Sequence, residues 1–184
     1  MLFRLISLSL HFATAALPLA DLQADLNQVR AGSFPSLANY DIRLDAFESA
    51  EDFFKSTPQV STLMKNAKDR IYLVQYNRRV LQSPPDRDAI RAIIAHELKH
   101  ILDYTKMTTL GTAQFAATYG LFSTARYEHA TDLYALKLGY GPGLRKYRTW
   151  LYTQVSAATQ KAKEETYYTP AQIDIWMQTG KETP

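Results

Sequence analysis

The sequence contains no cysteine among its 184 residues, and this absence removes several classes of structure. The chain can form no disulfide, no cysteine-ligated zinc ribbon and no lipidated N-terminal cysteine. The sequence also has only a small excess of one charge sign, since 21 Lys and Arg against 18 Asp and Glu leave a net charge of +3. The positive residues are scattered and form no long basic stripe. We therefore expect no nucleic-acid partner.

Long apolar runs are missing beyond the N-terminus, so no later segment reaches the length needed to cross a membrane. The N-terminus itself has the features of a secretory signal peptide over residues 1–20. One cation, Arg4, precedes an apolar stretch over residues 5–12, and small residues follow. Ala15 and Ala20 are both suitable residues before a cleavage point. We expect a secreted or periplasmic protein whose mature chain carries no stable membrane span.

Residues 21–184 are long enough for a single domain with a sizeable core, and helical patterns dominate them. The sequence predicts an α+β, helix-dominated fold with a small sheet. Gly141, Pro142 and Gly143 are expected to form a boundary between two helices. The predicted helices cover Asp21–Arg30, two short pieces at Ala46–Lys55 and Thr57–Lys68, then Thr112–Tyr119, Ser123–Leu138, Leu144–Lys163 and a last short helix capped by Thr169.

The clearest strand is Arg70–Tyr76, which is rich in β-branched and aromatic residues and contains no breaker. The strongest helix follows it. We expect Ser83 to cap this helix, Pro84 to occupy its first position, and the helix to continue from Asp86 to about Tyr104. Apolar residues recur along it at helical spacing, as in a helix that is packed against a core.

An HExxH motif lies in the middle of this helix, from His96 to His100. Residues four apart project from the same helical face, so both histidines can bind one tetrahedral ion. Glu97 lies one residue further round, where a carboxylate can take a proton from a metal-activated water. The motif therefore predicts a Zn²⁺ cofactor held by His96 and His100, with Glu97 as the catalytic residue.

A catalytic zinc needs a third protein ligand and an open position for water. The next suitable residues along the chain are Glu128 and His129, about 28 residues beyond the motif. Glu128 and Asp132 are four residues apart and share one helical face. On the residues alone, both Glu128 and His129 remain candidates for the third ligand.

The HExxH motif followed by the ExxxD pattern of Glu128 and Asp132 resembles the gluzincins, the thermolysin-like peptidases. Within that group the chain is most similar to the minigluzincins and to soluble HtpX-like peptidases, over residues 71–138. The resemblance implies a zinc metalloendopeptidase that cleaves peptides or proteins. It also implies that Glu128 is the third zinc ligand and that Asp132 accepts a hydrogen bond from a ligating histidine, expected to be His96.

The same resemblance implies a zincin-like domain in which an edge strand precedes the active-site helix. Here that strand would be Arg70–Tyr76, and an edge strand can bind an extended peptide by strand addition. Asp103, three residues after His100, could orient that histidine, but we expect it to be an exposed acid. A donor for the developing negative charge is also needed. The candidates are His129, Tyr119, Tyr127, Tyr134, Arg126, Arg145 and Arg148.

Two alternatives remain. With His129 as the third ligand, the chain would instead resemble the SprT-like proteases, which act near DNA. A catalytically inactive zinc-binding or scaffold module is the second alternative. It would keep the metal ligands without turnover.

Overall fold

The computed structural model describes residues 16–108, 111 and 124–181, and the structural statements that follow concern these residues. Seven helices and one three-stranded sheet are present in them, together with three short 3-10 turns at Pro35–Leu37, Val60–Thr62 and Ala67–Asp69. The helices are α1 Leu19–Ser33, α2 Arg79–Gln82, α3 Arg87–Lys106, α4 Thr124–Lys137, α5 Gly141–Gln154, α6 Ala157–Thr166 and α7 Pro170–Thr179. The strands are β1 Asp41–Phe47, β2 Phe54–Pro58 and β3 Ile71–Asn77. The helix-dominated α+β class predicted from the sequence is confirmed.

The strand predicted at Arg70–Tyr76 is confirmed as β3, but its expected position at the sheet edge is wrong. β3 is the central strand, paired in parallel with β1 and antiparallel with β2. Both of its sides are therefore hydrogen-bonded, and a strand that is mostly apolar and aromatic suits that position. β2 is an edge strand in this sheet, and it is short and carries Lys55 and Pro58, as edge strands often do.

The two short helical pieces predicted at Ala46–Lys55 and Thr57–Lys68 are wrong. These residues contain the end of β1, the whole of β2 and two 3-10 turns. Their helical propensity is modest, and pairing with β3 supplies backbone hydrogen bonds and burial that outweigh it. The sequence from Ile42 to Ala46 alternates apolar and charged residues, which is a strand pattern that helical propensity obscured.

Helix α3 matches the predicted long helix, except that its cap is Asp86 and not Ser83. The Asp86 carboxylate accepts a hydrogen bond from the Asp88 N–H, whereas Ser83 ends α2, where its N–H donates to the Arg79 carbonyl oxygen. An aspartate at this position also complements the positive end of the helix. Most apolar residues of α3 are buried, and α3 packs against β2, α1 and α5. This helix is consequently the central element of the core.

The single helix predicted over Leu144–Lys163 is divided into α5 and α6. The chain leaves helical geometry at Val155, and the Ser156 hydroxyl caps α6 by accepting from the Thr159 N–H. The boundary expected at Gly141, Pro142 and Gly143 lies slightly earlier, over residues 138–140, because these three residues form the first turn of α5. A Cβ on Gly143 would collide with the Asp88 carbonyl oxygen, so glycine here lets α5 lie directly against the backbone of α3.

Three other predicted helices are confirmed, as α1, α4 and α7, within a few residues at each end. Thr169 caps α7 through a reciprocal capping box with Gln172, and Gly180 ends it in the left-handed conformation with φ 64°. The helix predicted at Thr112–Tyr119 lies outside the described residues.

The first fifteen residues of the expected signal peptide also lie outside the described part of the chain. The residues that follow them are built into the fold. Leu17 is buried, and its N–H donates to the Leu81 carbonyl oxygen at 2.9 Å. Ala20 belongs to the first turn of α1. Cleavage after Ala20 would remove part of this turn, whereas cleavage after Ala15 would leave it whole.

The core has a large cluster between α3, the sheet, α1 and α5, and a smaller one under α7. The smaller cluster joins α3, α4 and α5 through Ala92, Leu136 and Leu144. This packing sets α4 beside the middle of α3, which is where the HExxH motif lies. None of the helices in the described residues combines the length and apolar character needed to span a membrane.

Candidate metal centre

The structure brings three candidate metal ligands together at one point. His96 and His100 project from α3, and Glu128 projects from α4. The Nε2 atoms of the two histidines are 3.1 Å apart, and Glu128 Oε2 lies 3.1 Å from the first and 3.2 Å from the second. All three residues are buried, with 2%, 6% and 1% exposure respectively. Two imidazoles and a carboxylate that converge in this way form a metal-binding set.

The spacing of these three atoms fits a tetrahedral zinc ion. With bonds of about 2.0–2.1 Å, such an ion separates its ligand atoms by roughly 3.3–3.4 Å. The observed triangle, with sides of 3.1–3.2 Å, is close to that size. The donor set of two nitrogens and one oxygen also matches a catalytic zinc site, which keeps a further position open. The residues present therefore fit the ion that the motif predicts.

Asp132 holds the ring of His96 from the side opposite to the metal-binding nitrogen. Its Oδ1 lies 2.8 Å from His96 Nδ1. Burial raises the pKa of Asp132, but the Arg148 guanidinium and His96 outweigh it and hold that pKa below the ordinary range. The carboxylate is thus ionised and can only accept, so Nδ1 donates to it and Nε2 is the nitrogen left to bind a metal.

Arg148 supports Asp132 and was missed as a positioning residue by the sequence reasoning. Its Nη2 donates to both oxygens of Asp132, at 2.9 and 3.2 Å, and the Tyr168 N–H donates to Oδ2 at 3.0 Å. Arg148 had been named only as a possible donor to the developing charge. It is 16 residues from Asp132 on another helix, and no local pattern in the sequence pairs the two.

A second chain of contacts holds His100. The Tyr127 hydroxyl lies 3.1 Å from His100 Nδ1 and donates to Asp103 Oδ2 at 3.2 Å. Since the hydroxyl proton goes to Asp103, its oxygen accepts from the histidine, and His100 Nε2 is again left as the acceptor. Asp103 is partly buried and also pairs with Lys99, so the expectation of an exposed acid is wrong.

Glu97, the predicted general base, lies beside the cluster without belonging to it. It is 4% exposed, and its Oε2 is buried and has no hydrogen-bond partner among the described residues. Its backbone carbonyl accepts from the Ser56 hydroxyl of β2 at 3.1 Å, which ties the motif to the sheet edge. Glu97 and His96 line a small cavity of about 30 Å³, enough for one or two waters. A buried carboxylate oxygen without a partner is suited to accept a proton from such a water.

The other sequence candidates lie elsewhere. His129 is one residue from Glu128 but points away from the cluster, and its ring stacks on Tyr168 with centroids 4.6 Å apart. Arg126 lines the same groove as His129, and Arg145 pairs with Asp174 on the surface. Tyr134 packs against Phe34. Tyr119 lies outside the described residues.

The metal-free protein is expected to lose stability as the pH rises from about 6.5 to 10. Burial lowers the pKa of His96, but its hydrogen bonds to Asp132 and Glu128 outweigh this and raise the pKa to about 10. A folded-state pKa above the unfolded value near 6.5 stabilises the fold fully below that value, and the contribution is lost through the folded pKa. We expect a loss of up to about 5 kcal/mol in the free energy of unfolding.

Urea unfolding of chelator-treated protein at a series of pH values measures this loss. His96→Gln should remove the pH-dependent part, while His129→Gln, which changes a histidine outside the cluster, should retain it. An unfolding free energy that stays constant over this range in the wild type would contradict the role given to His96.

Comparison with known proteins supplies no relative. No known protein family matches the chain, and neither a curated protein nor a solved structure is detectably similar to it.

Proposed function

We propose that this protein is a zinc-dependent metalloendopeptidase of the gluzincin type. The observation that carries the proposal is the convergence of His96, His100 and Glu128 within 3.1–3.2 Å of one another, with the unpaired carboxylate of Glu97 beside them. Three ligands and an adjacent base are the set that hydrolysis of a peptide bond at zinc requires.

In this proposal His96, His100 and Glu128 hold the zinc. When bound there, zinc would polarise the scissile carbonyl and lower the pKa of a coordinated water. Asp132 and Tyr127 keep the two histidine rings in the orientation and tautomer that binding needs. Glu97 accepts a proton from the attacking water and then delivers it to the leaving amine.

The substrate in this proposal is a peptide or protein segment in extended conformation. β2 pairs with β3 on one side, while its other side is unpaired among the described strands. An extended peptide can add to such an edge through backbone hydrogen bonds. The Ser56 contact to Glu97 brings this edge close to the active-site helix. β2 therefore takes the role that the sequence assigned to Arg70–Tyr76.

A zinc-binding scaffold without turnover is the second candidate. The small volume of the cavity beside Glu97 favours it, because a substrate needs room there. The Glu97 cavity is small, and an ion pair of 2.6 Å between Asp52 and Lys163 lies among its lining residues. The Asp52 side chain is 53% exposed, so solvent screens this pair and breaking it costs at most about 1 kcal/mol. We therefore prefer the peptidase.

We place the activity outside the cytoplasm, because residues 1–20 have the features of a signal peptide. The burial of Leu17 and its hydrogen bond to Leu81 favour cleavage after Ala15 over cleavage after Ala20. N-terminal sequencing of the exported protein should begin at Ala16. An exported chain that keeps residues 1–15 would contradict the predicted signal peptide.

The proposed activity is tested with a library of unstructured peptides analysed by mass spectrometry. We expect internal cleavages that disappear after zinc is removed with a chelator and return when one equivalent of zinc is added. Cleavage that persists in protein shown to be free of metal would contradict the proposal, because the proposed mechanism activates the water at zinc.

A further inference from the structure

The loop between α6 and α7 carries an aromatic residue into the Glu97 cavity. Tyr167 directly follows α6, and its N–H donates to the Lys163 carbonyl oxygen at 2.9 Å. It lines the cavity together with His96 and Glu97. Its ring centroid lies 5.9 Å from that of His96. Tyr167 is therefore next to a proposed metal ligand and next to the proposed base, although it lies some 70 residues further along the chain.

The position of Tyr167 is fixed by the same group that orients His96. The N–H of the next residue, Tyr168, donates to Asp132 Oδ2, while Asp132 Oδ1 holds His96 Nδ1. Tyr168 is itself buried. Any shift of this loop relative to the cluster would break the contact with Asp132. Asp132 thus fixes the position of Tyr167 relative to the three clustered ligands.

The ring of Tyr167 is also held from its face. The Arg148 guanidinium lies over it at 4.3 Å from the ring centroid, and Arg148 is in turn anchored on Asp132. No hydrogen bond from the Tyr167 hydroxyl to another described residue is present. The side chain is thus pre-oriented by its surroundings, while its one hydrogen-bond donor remains available.

Two other tyrosine hydroxyls near the cluster already make hydrogen bonds within the protein. The Tyr127 hydroxyl lies between His100 and Asp103, and the Tyr104 hydroxyl donates to Ser56. Arg148 donates to Asp132 through Nη2 and lies over the Tyr167 ring, while its buried Nε has no hydrogen-bond partner among the described residues. Tyr147 also lines the cavity, but its ring packs toward Phe54, with centroids 6.2 Å apart.

We propose that Tyr167 is a catalytic residue whose hydroxyl donates a hydrogen bond to the scissile carbonyl oxygen as negative charge develops on it. This inference rests on the proposed peptidase function and adds a residue that no feature of the sequence selects. The hydroxyl transfers no proton in this role. It stabilises charge that is present only during reaction, so it acts on the rate more than on substrate binding.

The test compares zinc-loaded full-length wild type with Tyr167→Phe, using a peptide that the wild type cleaves. We expect Tyr167→Phe to keep the zinc content and thermal stability of the wild type, because the lost hydroxyl makes no hydrogen bond to the described residues. Its kcat should fall about 10²–10³-fold with little change in KM. Tyr152→Phe is the matched control, because the Tyr152 hydroxyl also has no hydrogen-bond partner among the described residues but does not line the cavity. Its kcat should remain close to that of the wild type.

A second readout does not depend on turnover. A phosphinic analogue of the same peptide carries a charged oxygen where the carbonyl oxygen develops its charge. Calorimetry should show that Tyr167→Phe weakens its binding by a factor similar to the loss in kcat. Binding of an uncleavable peptide of the same sequence, with the scissile amide N-methylated, should be unchanged.

Three results would overturn the role of Tyr167. A Tyr167→Phe protein that cleaves as fast as the wild type and binds the analogue equally well would show that the hydroxyl does not act in catalysis. Loss of zinc in the variant would show that Tyr167 supports the metal site and does not act on the substrate. A wild type that neither holds zinc nor cleaves any peptide would overturn the peptidase proposal and this inference together, so the failures are distinguishable.

Discussion

Replacing Glu97 with glutamine should lower kcat for peptide cleavage by about 10²–10⁴-fold while zinc content stays at one ion per chain. Glutamine has the shape of glutamate but cannot accept the proton of the attacking water. Glu97 is not one of the three clustered ligands, and its Oε2 has no partner among the described residues, so neither the metal site nor the fold depends on its charge. Steady-state kinetics and elemental analysis of the same preparation measure both quantities.

Glu165→Gln is the matched control for this experiment, because Glu165 is an exposed glutamate on α6, away from the cluster. Its kcat should equal that of the wild type. Cleavage by Glu97→Gln at the wild-type rate would contradict the assignment of the base. If wild type and variant both hold zinc and neither cleaves any peptide, the result supports the zinc-binding scaffold and contradicts the peptidase.

Protein purified without added metal should contain one zinc per chain, and His96→Ala should contain none. The three ligand atoms converge in a buried site, so removing one of them leaves only two donors for the ion. Glu128→Ala should weaken zinc affinity by at least about 100-fold, since the groups that merely orient a ligand are already worth about 10–100-fold. Elemental analysis and competition with a zinc-binding dye measure the content and the affinity.

His129→Ala separates the two assignments of the third ligand. It should retain the wild-type zinc content, because the His129 ring stacks on Tyr168 and lies outside the cluster. Loss of zinc in His129→Ala together with its retention in Glu128→Ala would reverse the assignment and favour the SprT-like alternative. A folded wild type without zinc would contradict the metal site itself.

The helices could be predicted where the sequence signals, namely apolar spacing and helix caps, act between neighbouring residues. The long helix α3 followed from apolar spacing, and α7 followed from the Thr169 cap and Gly180, because caps and periodicity act within a few residues. The same local reasoning failed for β1 and β2. Strand pairing is decided by a distant partner, here β3, and the modest helical propensity of residues 46–68 was outweighed by it.

The candidate site divides in the same way. His96, Glu97 and His100 lie on one helix, so their spacing alone places them on neighbouring faces. The pairing of Glu128 with Asp132 is likewise a helical spacing. Which of Glu128 and His129 meets the histidines depends on the rotation of α4 against α3, and that rotation is set by core packing between the helices.

The sequence by itself determined the identity of the HExxH residues, the helix that presents them and the helix-dominated class of the fold. Only the tertiary structure decided that β3 is central, that Arg148 anchors Asp132, that Tyr127 holds His100 and that Tyr167 reaches the Glu97 cavity. The physical reason is the range of the interactions. Helical spacing and capping act over a few residues, whereas these contacts join elements 16 to 70 residues apart that meet only when the core is packed.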